Sequence, residues 1–245
     1  ERELQILKEN YLFKSKDEIL RLLPKRKWNG ILHKSSRLKL VGRQKQNRFR
    51  GYNSKYSLNQ NFFKEWNEKS AYVFGRLITD GSWRLRKTGG EVRIKSIDKE
   101  NLEKIRFIIG SNHKIKKERN KGNIIYVFDV FNNEIVRDLN FLENNLQNII
   151  SNKPFFDEFL RGVIDGDGSL SFNNKSLRIT IASIDKPFLD LLRKRIGFGK
   201  IYSKSEKDYV LHFNKIEANQ IGEIIYGTRP FLYLARKFSR WELWK

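Results

Sequence analysis

Apolar positions along the chain fall into two spacings, one helical and one alternating. In the first 40 residues the spacing is helical. Leu4, Leu7 and Tyr11 share a face of a helix over Glu3 to Phe13. Ser15 followed by Glu18 makes a capping box for a second helix, Lys16 to Leu23, which Pro24 ends. Trp28, Ile31, Leu32 and Ser35 form the stripe of a third, Trp28 to Leu38. Between 41 and 60 aliphatic positions are scarce, and an extended linker is expected. Asn61 to Trp66 is aromatic-rich and anchors the chain onto the next domain.

From Ser70 the two spacings interleave. Ser70 caps a helix to Thr79, with Ala71, Phe74, Gly75 and Ile78 on one face. Trp83-Arg84-Leu85-Arg86 and Val92-Arg93-Ile94-Lys95 alternate around Gly89-Gly90, which predicts a hairpin. Trp83, Leu85, Val92 and Ile94 are expected to face a core. A helix from Asp98 to Ile108 comes next, then a hairpin of His113 to Glu118 and Asn123 to Val130, then a helix near Glu134 to Leu142. The same order returns. Pro154 opens a helix to Ile164; Leu170 to Asn173 and Ser176 to Ile181 pair; Lys186 to Arg195 is helical; Lys200 to Lys204 and Tyr209 to Phe213 are strands. Helices over Lys215 to Tyr226 and Phe231 to Phe238 close the unit.

Repetition of a whole element order implies a duplicated unit. The expected fold class is α+β, with two pseudo-symmetric αββαββα units and a small N-terminal three-helix module. The boundaries are 1–40 for the module, 41–60 for the linker, and 61–150 and 151–245 for the two units.

Charge narrows the function. The 245 residues carry 50 Lys and Arg against 28 Asp and Glu, a net charge of +22. Solubility needs far less, so a polyanionic partner is expected, nucleic acid before membrane. Residues 1–69 hold 18 basic and 7 acidic side chains, half the excess in under a third of the chain. No Cys is present, which excludes disulfides and thiolate zinc sites. No secretory or membrane-length apolar run is present, so a soluble intracellular protein is expected. The absence of any Met is read as a trimmed or processed start.

Basic and polar side chains on outward positions are candidate nucleic-acid contacts. Asn29, Lys34 and Arg37 lie on the third helix around its apolar stripe, and Arg43 and Arg48 lie in the linker. Arg84, Arg86, Arg93 and Lys95, with Lys114 and Lys116, belong to the first unit. Arg178, Thr180, Lys200 and Lys204 belong to the second. The three short helices resemble helix-turn-helix or Myb-like modules, whose third helix enters the major groove. The competing reading is a helical cap with solvated lysines. A basic sheet face suits a major groove.

One pattern occurs twice: Tyr72-Val73-Phe74-Gly75-Arg76-Leu77-Ile78-Thr79-Asp80-Gly81-Ser82, and Phe159-Leu160-Arg161-Gly162-Val163-Ile164-Asp165-Gly166-Asp167-Gly168-Ser169. Gly75 and Gly162 permit close helix approach, which would bring Asp80 and Asp167 together at the helix ends. Two carboxylates at negative helix poles repel, and a hard divalent cation compensates them. The backbone carbonyls of Thr79 and Gly166 are further candidate ligands. Such a pair beside basic surfaces suits phosphodiester hydrolysis. A mere helix-ending turn is the plainer reading, which two aligned copies disfavour.

The second pattern closely resembles the signature of the LAGLIDADG homing endonucleases, and the first matches it more loosely. The resemblance spans roughly 60–245, with further likeness in Gly197 to Tyr202 and Tyr233 to Lys237. It implies a DNA-straddling saddle, cleavage of both strands of a long asymmetric double-stranded DNA site by a monomer, and metal binding by Asp80 and Asp167. It implies Mg²⁺, with Mn²⁺ substituting and Ca²⁺ binding without efficient cleavage. Lys237 matches a basic residue that assists near the scissile phosphate. Two departures stand out. Ile78 replaces the residue that is Asp165 in the second copy, with no harm expected, and the first copy's end, Asn144 to Ile150, lacks a lysine. Lys153 is a substitute candidate. The alternative function is an RNA-splicing maturase, with host intron RNA as partner, or a DNA-binding regulator on the same fold.

Overall fold

A computed structural model of the chain describes residues 2–10, 16–38, 56–87, 89–120, 122–173 and 176–245. Internal contacts divide the chain into two units, Glu1–Lys55 and Tyr56–Lys245.

The first unit contains α1 (Arg2–Asn10), α2 (Lys16–Leu22) and α3 (Trp28–Arg37). Leu7, Ile19, Leu23 and Ile31 bury their side chains together, with Ile6, Leu20, Trp28 and Leu38 packed against them. Each helix contributes its apolar stripe, so none is stable without the others. Arg26 on the α2–α3 turn donates to the Glu3 carboxylate at 2.8 Å and ties the turn to α1. The capping role expected of Ser15 lies outside the described residues, as does Tyr11.

The second unit runs α4 (Glu68–Asp80), β1 (Gly81–Arg86), β2 (Gly89–Ser96), α5 (Lys99–Ile108), β3 (Ile115–Asn120), β4 (Asn123–Phe131), α6 (Asn133–Asn144) and α7 (Leu146–Asn152). It continues with α8 (Phe156–Asp167), β5 (Gly168–Asn173), β6 (Ser176–Ser183), α9 (Lys186–Ile196), β7 (Lys200–Ser203), β8 (Tyr209–Phe213), α10 (Lys215–Tyr226) and α11 (Ala235–Trp244). Each half has a four-stranded antiparallel sheet, ordered β1-β2-β4-β3 in one and β5-β6-β8-β7 in the other. The fold is α+β, with the second half repeating the first. One apolar core runs through both, from Phe62 and Phe63 to Trp241, with the two motif helices α4 and α8 packed on each other inside it.

Several local expectations change. Helix α4 starts two residues before Ser70. Asn67 is its N-cap, and Ser70 is the third helical residue of a capping box, its hydroxyl accepting from the Asn67 N–H. Gly89 and Gly90 are strand residues paired with Arg86 and Leu85, so the glycines belong to the ladder and not to the turn. A Cβ on Gly90 would lie 2.5 Å from the Asn132 carbonyl oxygen, so the glycine serves a close approach between strand and chain. Leu85, expected in the core, stands one pair from that turn opposite Gly90 and is 52% exposed. Pro154 precedes α8 rather than opening it, because Phe155 takes a left-handed conformation at φ 62° before the helix begins.

The closing helix begins at Ala235, not Phe231. The segment 231–234 instead crosses the motif helix as an irregular strap. Arg161 donates to the Leu232 carbonyl at 2.9 Å, Asn101 to the Tyr233 carbonyl at 3.1 Å, and the Leu234 N–H donates to Asp165 at 2.9 Å. Backbone groups that a helix would have paired internally are satisfied by side chains instead.

Candidate metal and nucleic-acid site

The site is built where α4 and α8 end. A Cβ on Gly75 would lie 2.3 Å from the Phe159 carbonyl oxygen, and one on Gly162 would lie 2.3 Å from that of Tyr72. The two relations are reciprocal, as a pseudo-two-fold axis through the seam requires. Towards the helix ends the contact persists, since a Cβ on Gly166 would lie 1.9 Å from Thr79 Oγ1. Thr79 and Gly166 directly precede Asp80 and Asp167, so both carboxylates emerge from the same end of the seam. Each helix then passes straight into the first strand of its sheet.

The carboxylates are coupled. Burial pushes the Asp167 carboxyl above its ordinary value and the neighbouring Asp80 charge pushes it further, against Lys237 and Arg76. Asp80 is held differently. Arg76, one helical turn earlier and 0% exposed, donates Nη1 to Asp80 Oδ2. Sequence reasoning passed over Arg76, yet its signal was present: a charged residue interrupts the apolar run between Gly75 and Ile78.

Lys237 is 2% exposed. Its Nζ donates to the carbonyls of Ile164 at 2.6 Å, Asp165 at 2.8 Å, Gly166 at 3.2 Å and Gly168 at 2.6 Å. It therefore caps the negative end of α8 beside Asp167. Burial pulls its pKa down to about 8, against the Asp165 charge. The Gly166 carbonyl, a candidate ligand, already accepts from this ammonium.

Lys153, the substitute considered for the first copy, is misplaced. It precedes α8 and lines a cavity of about 370 Å³ with Phe63, Trp66 and Asp138. Asp167 ends that 12-residue helix, so roughly 18 Å of helix axis separates the two ends.

Asp165 is fully buried and accepts from Tyr72 Oη and Tyr226 Oη at 2.8 Å each, besides the Leu234 N–H. Burial pushes its carboxyl up, opposed by Arg76, the two hydroxyls and Lys237. It is a structural junction between α8, α4, α10 and the strap. At the matching position, Ile78 packs as a hydrocarbon.

The outward face of the first sheet carries Arg84, Arg86, Arg93, Lys95 and Lys116, and also three acids. Arg84 and Arg86 meet Glu91 at 2.8 and 3.2 Å. Arg93 grips Asp129 with two hydrogen bonds of 2.6 and 3.1 Å, and Lys116 adds one of 3.0 Å. Lys95 lies 3.5 Å from Glu118. Burial would raise the Asp129 carboxyl, but Arg93 and Lys116 hold it below its ordinary value. The expectation of a basic face is corrected: Asp129 sits opposite Arg93 in the ladder, an acid within an otherwise largely apolar strand. Lys114 is exposed just before β3.

On the second sheet, Arg178 and Thr180 share a face with Ser169 and Ser171 across the ladder, and His212 pairs with both Thr180 and Lys200. Arg178, Lys200 and Lys204 are exposed and Thr180 is half-buried. Asn29 and Lys34 are exposed on α3. Arg37 closes α3, and Arg43 and Arg48 lie outside the described residues.

Among the described residues no cluster of three or more His, Cys, Asp or Glu could hold a metal. The donor set is therefore two carboxylates and backbone carbonyls. That fits a hard cation that keeps several waters and takes phosphate oxygens, rather than zinc or a protein-caged ion.

No protein-family model matches the chain, and no curated protein matches its sequence. Solved structures do match. Variants of the homing endonuclease I-DmoI align over 68% of this chain and 97% of theirs, at 16% identity and a TM-score of 0.50. I-DmoI in complex with DNA and Ca aligns over 75% and 99%, at 17% identity and 0.51. I-SmaMI bound to uncleaved DNA target in the presence of calcium ions aligns over 74% and 90%, at 16% identity and 0.52. The fold is that of a homing endonuclease. At these identities the likeness establishes the fold alone.

Proposed function

We propose that the chain is a site-specific endonuclease of the LAGLIDADG class, hydrolysing both strands of a long asymmetric DNA target as a monomer. The observation that carries this reading is the coupled pair Asp80 and Asp167, delivered side by side by reciprocal glycine contacts. A protein that only bound DNA would gain nothing from a carboxylate raised by its neighbour beside phosphates.

In this reading Asp80 and Asp167, with the carbonyls of Thr79 and Gly166, hold Mg²⁺. Mn²⁺ substitutes, and Ca²⁺ supports binding without efficient cleavage. The bound cation supplies charge neutralisation at the phosphorus and acidifies a water. Lys237 fixes the end of α8, so the Asp167 carboxylate is presented in one orientation. Arg84, Arg86, Arg93, Lys95 and Lys116 on one sheet with Lys114 beside it, and Arg178, Thr180 and Lys200 on the other with Lys204 beside it, hold the duplex through phosphate and base-edge contacts. Asn29, Lys34, Arg37, Arg43 and Arg48 extend the footprint.

A second reading, binding without cleavage as in a maturase or regulator, draws on one observation: Asp80 already has a cationic partner in Arg76. A selection from a random duplex library separates the two. Bound molecules are recovered in calcium, magnesium is added, and the ends are sequenced. Fixed staggered cuts at the centre of a long enriched site establish the endonuclease. An enriched site that stays intact in magnesium and manganese establishes binding alone, and host intron RNA then becomes the partner to test.

A further inference from the structure

The two halves of the site do not supply positive charge in the same way. In the second half Lys237 reaches in from α11 and caps α8. The first half's end, Asn144 to Ile150, offers no lysine, and α7 occupies that stretch. What the first half has instead lies inside its own motif helix. Arg76 follows Gly75 at the seam, where the second copy has Val163.

Arg76 is wholly buried, its Nη1 donates to Asp80, and a Cβ on Gly166 of the opposite helix would lie 3.1 Å from that same nitrogen. Its Nε and Nη2 are buried and make no hydrogen bond among the described residues. A guanidinium with spare donors, held between the ends of two helices that each carry a carboxylate, is costly to bury unless the negative charge around it compensates. Asp80 is the carboxylate that accepts from it.

Resting on the metal reading above, we infer that Arg76 is a built-in counter-cation of the paired carboxylates, which occupies Asp80 and makes it a weaker metal ligand than Asp167. The division follows from geometry. A metal at Asp80 must share the carboxylate with Arg76, which holds Oδ2, and approach a fixed positive charge. A metal at Asp167 meets no side-chain donor bonded to that carboxylate among the described residues. Arg76 is thus a positioning residue acting through Asp80, and the two half-sites load metal unequally.

Terbium(III), a hard oxygen-seeking probe, titrated into the DNA-free chain with calcium as competitor, tests this. Arg76→Met, which keeps length but not charge, is expected to bind the probe about tenfold more tightly than wild type, a coupling of ordinary size between neighbouring charges. Arg76→Lys is expected to stay near wild type, and Asp80→Asn added to Arg76→Met to abolish the gain. A purely structural Arg76 gives the opposite sign, because a loosened seam weakens the site; unchanged or weaker binding in Arg76→Met overturns the inference.

A measurement on the unaltered chain covers the case in which Arg76→Met does not fold. In nitrogen-15 arginine-labelled protein, the Arg76 side-chain resonance, assigned by its loss in Arg76→Lys, is expected to shift as calcium saturates. A resonance unmoved at saturation overturns the proposal. If wild type, Asp80→Asn and Asp167→Asn all bind the probe alike, the metal reading itself fails. A wild type that loses binding on Asp167→Asn while Arg76→Met leaves affinity unchanged refutes the Arg76 role alone.

Discussion

Two aspartates at equivalent positions have different surroundings, so removing their charges has opposite effects. Asp167 is raised by burial and by Asp80. Its neutral form is favoured in the fold, so its contribution to stability is greatest at low pH and is lost as pH rises through the raised value. Without metal, Asp167→Asn is expected to be more stable than wild type at neutral pH, with the difference vanishing as pH falls below the ordinary carboxylate range. Asp80 is paired with buried Arg76, and its side chain is 35% exposed. Asp80→Asn strands that cation and is expected to destabilise by about 1–2 kcal/mol, less than a fully buried pair because water reaches Asp80. Urea melts in a metal chelator measure both. Equal shifts for the two variants would contradict the asymmetry. Cleavage is expected to be lost in both, with DNA binding retained.

Lys237 gives a second test at this scale. Its pKa of about 8 lies below the ordinary lysine value of 10.5. Between these values the unfolded chain binds the proton and the folded chain does not, so wild-type stability rises with pH across that window. The stability of wild type relative to Lys237→Met, measured without metal, is expected to rise from about pH 8 upward. A relative stability that falls there would mean the ammonium is favoured, not strained, by its four carbonyl acceptors.

Among the elements, the motif helices set the geometry of everything else. Their approach at Gly75 and Gly162 leaves no room for a methyl group, because the obstructing atoms are backbone carbonyls that cannot rotate away. Gly75→Ala or Gly162→Ala is expected to cost at least about 1–3 kcal/mol, in the manner of overpacked cores. Terbium affinity is expected to fall with it, since the carboxylates lie at the ends of the displaced helices. An alanine variant with wild-type stability would show that the helices lie further apart than these contacts require. The helix pattern and the glycines were legible because local spacing writes them into the sequence. The strap at 231–234 was not, because its apolar residues read as a helix turn while its backbone is claimed by Arg161, Asp165 and Asn101 from elsewhere in the chain.

Over the whole molecule, charge is distributed unevenly. Residues 1–55 hold 16 basic and 5 acidic side chains, half of the net +22. On the first sheet of the larger unit, by contrast, Arg84, Arg93 and Lys116 are engaged by Glu91 and Asp129. Deleting residues 1–55 is expected to weaken DNA binding, shorten the footprint and flatten the salt dependence of affinity, while leaving the cut position unchanged. Footprinting and binding at several salt concentrations check this. An unchanged footprint assigns the three-helix unit to capping instead. No helix among the described residues is long and apolar enough to cross a membrane.

The sequence by itself determined the duplication, the element order of both copies apart from α7, the matched glycines and aspartates, and the excess of positive charge. Each is a short-range pattern or a sum over residues, and none needs a folded chain to be seen. Tertiary structure alone decided which charges meet. Lys237 caps a carbonyl 71 positions away, Arg93 meets Asp129 across 36, and Asp165 joins Tyr72 across 93. Such pairings depend on where folded elements point their side chains, and burial then converts proximity into strong coupling. Arg76 stands between the two cases: the sequence displayed a charge in an apolar stripe, and only the seam around it disclosed its partner.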